Sequence, residues 1–292
     1  MAISLSCRHA YFPVQRVNMQ AKITDSEVKK LQKIARDIRV LIIKMLAAAG
    51  SGHPGGSLSA VEILTALYFY QMNHNPKDPN RDRFVLSKGH AVPALYAAFV
   101  KLGYLEEEEI YTLRKINSRL QGHPDHKRFP IIESSAGSLG LGLSIAQGMA
   151  MAAKMDKKNY KAYCLIGDGE SQEGQIWEAA MSAAKFKLGN LVCILDYNRG
   201  QIDGPVHEVM DIEPIAQKFR AFNWNVLEID GHNFYELVLA LNQAEREQDK
   251  PTCIIAHTVK GKGVSFMEGV IDWHGKSPTK EEADKAIAEI LS

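Results

Sequence analysis

Four short apolar segments in the second half of the chain restrict its fold most: residues 160–166, 191–196, 224–229 and 252–257. They are rich in branched residues and too short for helices, so they read as strands. Helical stretches at about 176–186, 212–222 and 235–247 lie between them. Strands alternating with helices form βαβ units, which give a parallel sheet covered by helices on both faces. Right-handed crossovers bring every strand's C-terminal end to one edge, and ligands bind at that edge in such α/β sheets.

The first half is helical. From 27 to 49, Val28, Leu31, Ile34, Ile38, Leu41, Ile42 and Met45 form one apolar stripe at three- and four-residue steps. Gly50-Ser51-Gly52-His53-Pro54-Gly55-Gly56 breaks it. A second helix is expected from 59 to 72, with Ser59 and Glu62 as a capping box. Residues 73–83 read as a polar loop, and further helices are expected at about 92–102 and 106–116. The turn Gly137–Gly142 opens a small-residue helix at 143–154. One α/β domain spanning 21–292 accounts for this pattern. Residues 1–20 show no period and no apolar signal core, and are expected to be a weakly ordered extension.

Hydrophobic residues make up 46% of the chain, charged residues 24%, and the net charge is +1. Nothing in that balance suggests a nucleic-acid or membrane partner, and no apolar run is long enough to cross a bilayer. Cys7, Cys164, Cys193 and Cys253 fit no metal spacing and read as free thiols, suiting a reducing, cytoplasmic location.

The ends of two strand-like segments carry the chemistry. Residues 163–166 run into Gly167-Asp168-Gly169-Glu170, and the next strand ends in Asp196-Tyr197-Asn198. The sheet edge thus receives the Asp168 carboxylate and the Asn198 amide oxygen, hard ligands suited to Mg²⁺ shared with phosphates. Gly167 and Gly169 let the backbone approach a phosphate at a helix N-terminus. Gly-Asp-Gly followed by Asn about thirty residues on resembles the thiamine-diphosphate signature. In that family a carbonyl two residues past the Asn also binds the metal. Here it belongs to Gly200, and a glycine there is expected to loosen the loop.

His53, His90, His123 and His274 each sit in a glycine- or proline-marked break, where sites are built and imidazoles can move protons. Six segments then look, in order, like the N-terminal domain of transketolase. They are Gly52-His53-Pro54, Arg83-Phe84-Val85-Leu86-Ser87-Lys88-Gly89-His90, Gly122-His123-Pro124, Gly137-Ser138-Leu139-Gly140, Gly167-Asp168-Gly169-Glu170, and Lys260-Gly261-Lys262-Gly263 continuing to Trp273-His274-Gly275-Lys276. The resemblance covers about 25–280 and is nearer the animal type. Some relatives carry a catalytic His where this chain has Ile271, which leaves that task to His274. A polar cofactor contact of relatives is replaced by Gly56, with Ser57 next.

That resemblance implies the following roles. The four histidines line the substrate channel and help move protons. Gly137, Ser138, Leu139, Gly169, Glu170, Asn198 and Lys260 meet thiamine diphosphate. Asp168, Asn198 and the Gly200 carbonyl hold Mg²⁺. His232, in Asp230-Gly231-His232, lies in a family loop near the site but receives no role.

The resemblance also implies two-carbon ketol transfer from a ketose phosphate to an aldose phosphate in the pentose phosphate pathway. The glutamate acting on the cofactor's aminopyrimidine belongs to a second domain. With the chain stopping at Ser292, the expectation is a split enzyme: a separate subunit with the pyrimidine-binding and C-terminal domains completes a heterotetramer. Four other readings stand beside it. The first is a split enzyme of an apiose-derived or sulfosugar route, and the second a deoxyxylulose phosphate synthase-like enzyme. The third is a non-catalytic subunit retaining the fold, and the fourth a fragment of a longer transketolase.

Overall fold

The computed structural model describes residues 23–292. The expectation for residues 1–20 and the thiol of Cys7 lie outside the described residues.

A long helix, α1 (Asp25–Ala49), opens the fold. Thr24 and Glu27 cap it reciprocally, and Gly50 closes it in the left-handed conformation at φ 65°. Two short helices follow, α2 (Pro54–Ser59) and α3 (Val61–Ala66), then a π turn at Leu67–Gln71. The chain continues through β1 (Arg83–Leu86), α4 (Val92–Lys101), α5 (Leu141–Met155), β2 (Ala162–Gly167), α6 (Gly174–Lys185) and β3 (Leu191–Tyr197). A small hairpin, β4 (Gly200–Gln201) and β5 (Gly204–Pro205), leads to α7 (Val206–Val209) and α8 (Ile215–Ala221). Then come β6 (Asn225–Asp230), α9 (Phe234–Arg246), β7 (Thr252–His257) and α10 (Lys280–Leu291).

Five parallel strands pair in the order β1-β2-β3-β7-β6. Alternate residues of each strand enter different cores. Phe84, Leu86, Tyr163, Leu165, Val192, Ile194, Ile254 and Ala256 pack with α1, α3, α4 and α9. Val85, Cys164, Ile166, Cys193, Leu195, Cys253 and Ile255 pack with α5, α6 and α8. Burial on both faces is why the strands read as unbroken apolar runs. Cys164, Cys193 and Cys253 are buried free thiols, as expected.

From β2 to β3 the sheet advances, with α6 on one face. From β6 back to β7 it reverses, with α9 on the other, as right-handed crossovers require. The reversal places a crevice at the C-terminal ends of β3 and β7. Among the described residues, no helix is long and apolar enough to cross a membrane.

Several local expectations are corrected. The helix expected from 59 begins at Pro54, with proline in its first turn, inside the glycine-rich break. Ser59 and Glu62 make no capping box: the Ser59 hydroxyl donates to Asp196 (2.6 Å), and Glu62 pairs with Arg39 (2.6 Å). Only a 3₁₀ segment, Glu107–Thr112, stands where a helix was expected at 106–116. Strand β1 and helix α10 were not anticipated.

Candidate active site

Strand ends and their following loops build one cleft of about 370 Å³. His53, His90, His123, His274, Leu139, Asp168, Asn198, Gly200 and Lys260 all contribute to its lining. Sequence segments more than 200 residues apart therefore meet where βαβ topology placed them. The imidazoles form one group. The His53 ring centroid lies 5.2 Å from that of His90, 5.6 Å from His274 and 6.5 Å from His123, and His90 lies 5.2 Å from His274.

The histidines are held neutral. Burial, followed by the charge of Arg114 and of nearby groups including Lys260 and Lys88, pushes His53 down to about 4. Burial and Lys260 push His274 down to about 3. His90 is lowered well below its ordinary value by burial and then Lys88, and His123 is lowered by burial and then Arg114. His53 Nδ1 is buried without a hydrogen-bond partner among the described residues. A buried, unpaired ring nitrogen beside a polar cleft is suited to pairing with a ligand's polar atom.

Asp168, at the end of β2, is 2% exposed. Its carboxylate accepts from the backbone N–H groups of Gly169 (2.7 Å) and Arg199. Burial, and then the negative charge of Asp196, nevertheless raise its pKa to about 6. A hard cation beside this carboxylate would offset that cost. The Asn198 amide nitrogen donates to Asp196 (3.2 Å), which fixes the amide and turns Oδ1 the opposite way, where it accepts from Gly200 N–H (3.1 Å). The oxygen donors of Asp168 and Asn198, with Gly200 beside them in the cleft lining, are of the kind that Mg²⁺ takes. Their chemistry is oxygen-only, and no group of three or more His, Cys, Asp or Glu among the described residues offers another metal site.

Two further expectations change. Gly200 is not loosely held. It is buried, and a Cβ there would lie 2.8 Å from Lys260 Cε and 2.9 Å from Ile271 Cδ1, so the lysine stem fills the space a side chain would need. Glu170 lines the cleft, but its carboxylate accepts from Ser87 Oγ, Gly140 N–H (2.9 Å) and Gly167 N–H (3.0 Å). It ties β1, β2 and the start of α5 together, so its oxygens are committed to the scaffold. Leu139 lies at the cleft, whereas Ser138 is exposed and outside its lining. At Gly56, a Cβ would sit 3.1 Å from His90 Nε2, so the absent side chain makes room for that ring.

Sequence reasoning missed the layer beneath. Lys88 forms an ion pair with Asp196, their side chains 2% and 0% exposed, and donates to the Gly56 carbonyl (3.0 Å). Asp196 also accepts from Ser59 (2.6 Å) and Thr258. Lys260 is buried beside them, its Nζ 3.1 Å from His274 Nδ1, and its pKa falls to about 8 because of burial and then Lys88. The only signal for Lys88 was its place in Ser87-Lys88-Gly89-His90.

Comparison with known proteins identifies the family. The family model described as "Transketolase, thiamine diphosphate binding domain" matches residues 30–291. The 6-deoxy-6-sulfo-D-fructose transketolase subunit SqwG of Clostridium sp. (strain MSTE9) is 49% identical over 263 residues, 89% of this chain and 96% of that protein. An apulose-4-phosphate transketolase subunit of Phocaeicola vulgatus is 45% identical over 267 residues, 90% of this chain and 95% of that one. Human transketolase is 45% identical, but the matched 93% of this chain spans 44% of its length. The crystal structure of Campylobacter jejuni transketolase superposes with a TM-score of 0.83 at 37% identity, over 90% of this chain and 43% of that one. The chain belongs to the transketolase family, as a member of its N-terminal, thiamine diphosphate binding domain.

Proposed function

We propose that this chain is the cofactor-binding subunit of a two-chain transketolase that transfers a two-carbon ketol unit from a ketose to an aldose, with thiamine diphosphate and Mg²⁺. The observation that carries this reading is the convergence of four neutral imidazoles and the buried Asp168 carboxylate on one cleft. Asp168, Asn198 Oδ1 and the Gly200 carbonyl would hold Mg²⁺. Gly169 and the backbone of Gly137 and Leu139 would meet the cofactor, with the Lys260 charge beside its diphosphate. When bound, thiamine diphosphate supplies the carbon nucleophile and the electron sink for cleaving the ketose.

The chain's own task is then hydrogen bonding and proton movement. Burial first, and then the positive charge of Arg114, Lys260 and Lys88, holds protons off His53. An anionic ligand would offset the charge part of that effect and so raise the imidazoles from their ligand-free values. His53 Nδ1 is free to pair with a ligand.

Dependence on a partner is supported by coverage. The two relatives named as subunits are matched over 96% and 95% of their length, against 44% for the human enzyme. The glutamate expected on the aminopyrimidine would come from that partner, in a heterotetramer. The test is ketol transfer, with xylulose 5-phosphate, 6-deoxy-6-sulfofructose and apulose 4-phosphate as separate donors. The chain is assayed by itself and with a pyrimidine-binding subunit. Activity only in the pair is expected, and comparable turnover by the chain alone would overturn the split. The preferred donor identifies the sugar.

A further inference from the structure

We propose that His232, Glu62 and Arg39 form a positioning triad that clamps residues 258–263 and so keeps Lys260 in the cleft. The three come from the loop after β6, from α3 and from α1, and none of them lines the cleft. The Arg39 guanidinium donates to Glu62 (2.6 Å) and through Nε to the Lys262 carbonyl (3.0 Å). Glu62 Oε2 lies 2.9 Å from His232 Nδ1. His232 Nε2 lies 2.8 Å from Val259 N. A backbone N–H can only donate, so Nε2 accepts, and the ring proton sits on Nδ1 and points to Glu62. The carboxylate fixes the tautomer, and the tautomer makes the ring an acceptor for the loop.

The two ends of this chain of bonds fall on Val259 and Lys262, the residues that bracket Lys260. A third bond, from Gly261 N–H to the Gly55 carbonyl (3.0 Å), closes the turn. The glycines serve the same contact. Gly263 has φ 93°, and a Cβ there would lie 2.8 Å from Arg39 Cδ. A Cβ on Gly231 would lie 2.5 Å from Thr258 Cγ2, so the residue before His232 must be bare for the loop to approach. Glu62 shows how the triad is compensated. Burial pushes its carboxyl up, but Arg39 and His232 together bring it below the usual range. Apolar residues of equal volume could fill this space without loss of stability. What they could not supply is a pair of directed bonds to the backbone on both sides of Lys260.

The test compares wild type, His232→Ala and His232→Gln by amide hydrogen exchange and by calorimetric titration with thiamine diphosphate and Mg²⁺, with the partner subunit present if binding requires it. His232→Ala is expected to speed exchange at Val259 while β3 and β7 stay protected, and to weaken cofactor binding by about tenfold or more. His232→Gln, whose amide oxygen takes the place of Nε2, is expected to restore both. Arg39→Lys keeps charge on Glu62 but loses the Nε bond to Lys262, and serves if the Ala variant does not fold; it should weaken binding similarly. Unchanged Val259 exchange in His232→Ala would overturn the clamp. So would exchange that rises evenly across the sheet, or lost protection with unaltered affinity. The affinity arm rests on Lys260 as a cofactor contact. Should wild type bind no thiamine diphosphate, the functional reading fails, while Val259 exchange still decides the clamp.

Discussion

Replacing Lys88 by Met probes the layer under the cleft. In the native chain Asp196 is fully buried, and burial alone would push its carboxyl up. Lys88, with Ser59 and Thr258, brings it below the ordinary range instead. Lys88→Met leaves that carboxylate without its cation. Breaking a buried pair from one side costs about 3–5 kcal/mol, because an uncompensated charge stays behind. For a domain of this size that is a fall in Tm of roughly 5–8 °C. Asp196→Asn in the same background removes the orphaned charge; its one amide oxygen still accepts from Ser59 or Thr258, and the other hydroxyl can turn to accept from the amide NH₂. The double variant should therefore recover about 2 kcal/mol over Lys88→Met alone. Urea denaturation of the two single variants and the double one completes the cycle. Destabilisation by Lys88→Met of less than about 1 kcal/mol, or strictly additive losses in the double variant, would refute the view that this pair compensates itself rather than being screened by water.

Three other expectations follow. Unfolded histidine takes its proton near 6.5, but native His53 does so only near 4 and His274 near 3. The unfolded chain thus binds more protons below neutrality, and this contribution to stability is lost as pH falls from about 6.5 through 4 toward 3; ¹⁵N NMR should find both rings neutral at pH 6. Asp168 has the opposite sign, since its folded value of about 6 exceeds that of an unfolded Asp. The metal-free chain should therefore lose up to about 3 kcal/mol in urea melts as pH rises from about 4 through 6. Asp168→Asn, whose amide can accept from only one of the two backbone N–H groups of Gly169 and Arg199, should remove that pH dependence and abolish Mg²⁺-dependent cofactor binding in calorimetry. Gly142→Ala should destabilise by about 1–3 kcal/mol in the same melts, because its Cβ would lie 2.8 Å from the Ser87 Cα and force α5 off β1.

How far the sequence could be read depended on how locally each residue's environment is determined. Strands β2, β3 and β7 are apolar on both faces, and β6 buries Val226, Leu227 and Ile229, so each announces itself without reference to the others. Strand β1 is four residues long and gives no period to detect. The site residues at strand ends were legible because βαβ topology alone sends them to one edge, and short motifs mark them. Ser59 and Glu62 were misread because Ser-x-x-Glu is a local pattern, whereas their partners come from Asp196, Arg39 and His232, set by tertiary contact. Lys88 is the sharper case. A lone lysine reads as exposed, and it becomes buriable only with a carboxylate 108 residues away in the chain. Asp196, read singly, is a polar strand end. Each makes the other's burial tolerable, so neither is predictable without the pairing that the fold creates. The same holds for His232, whose acceptor nitrogen is defined only once Glu62 has claimed its proton. Chemistry written in single residues survives into the sequence as motifs, and chemistry written in buried pairs becomes visible only after the chain has folded.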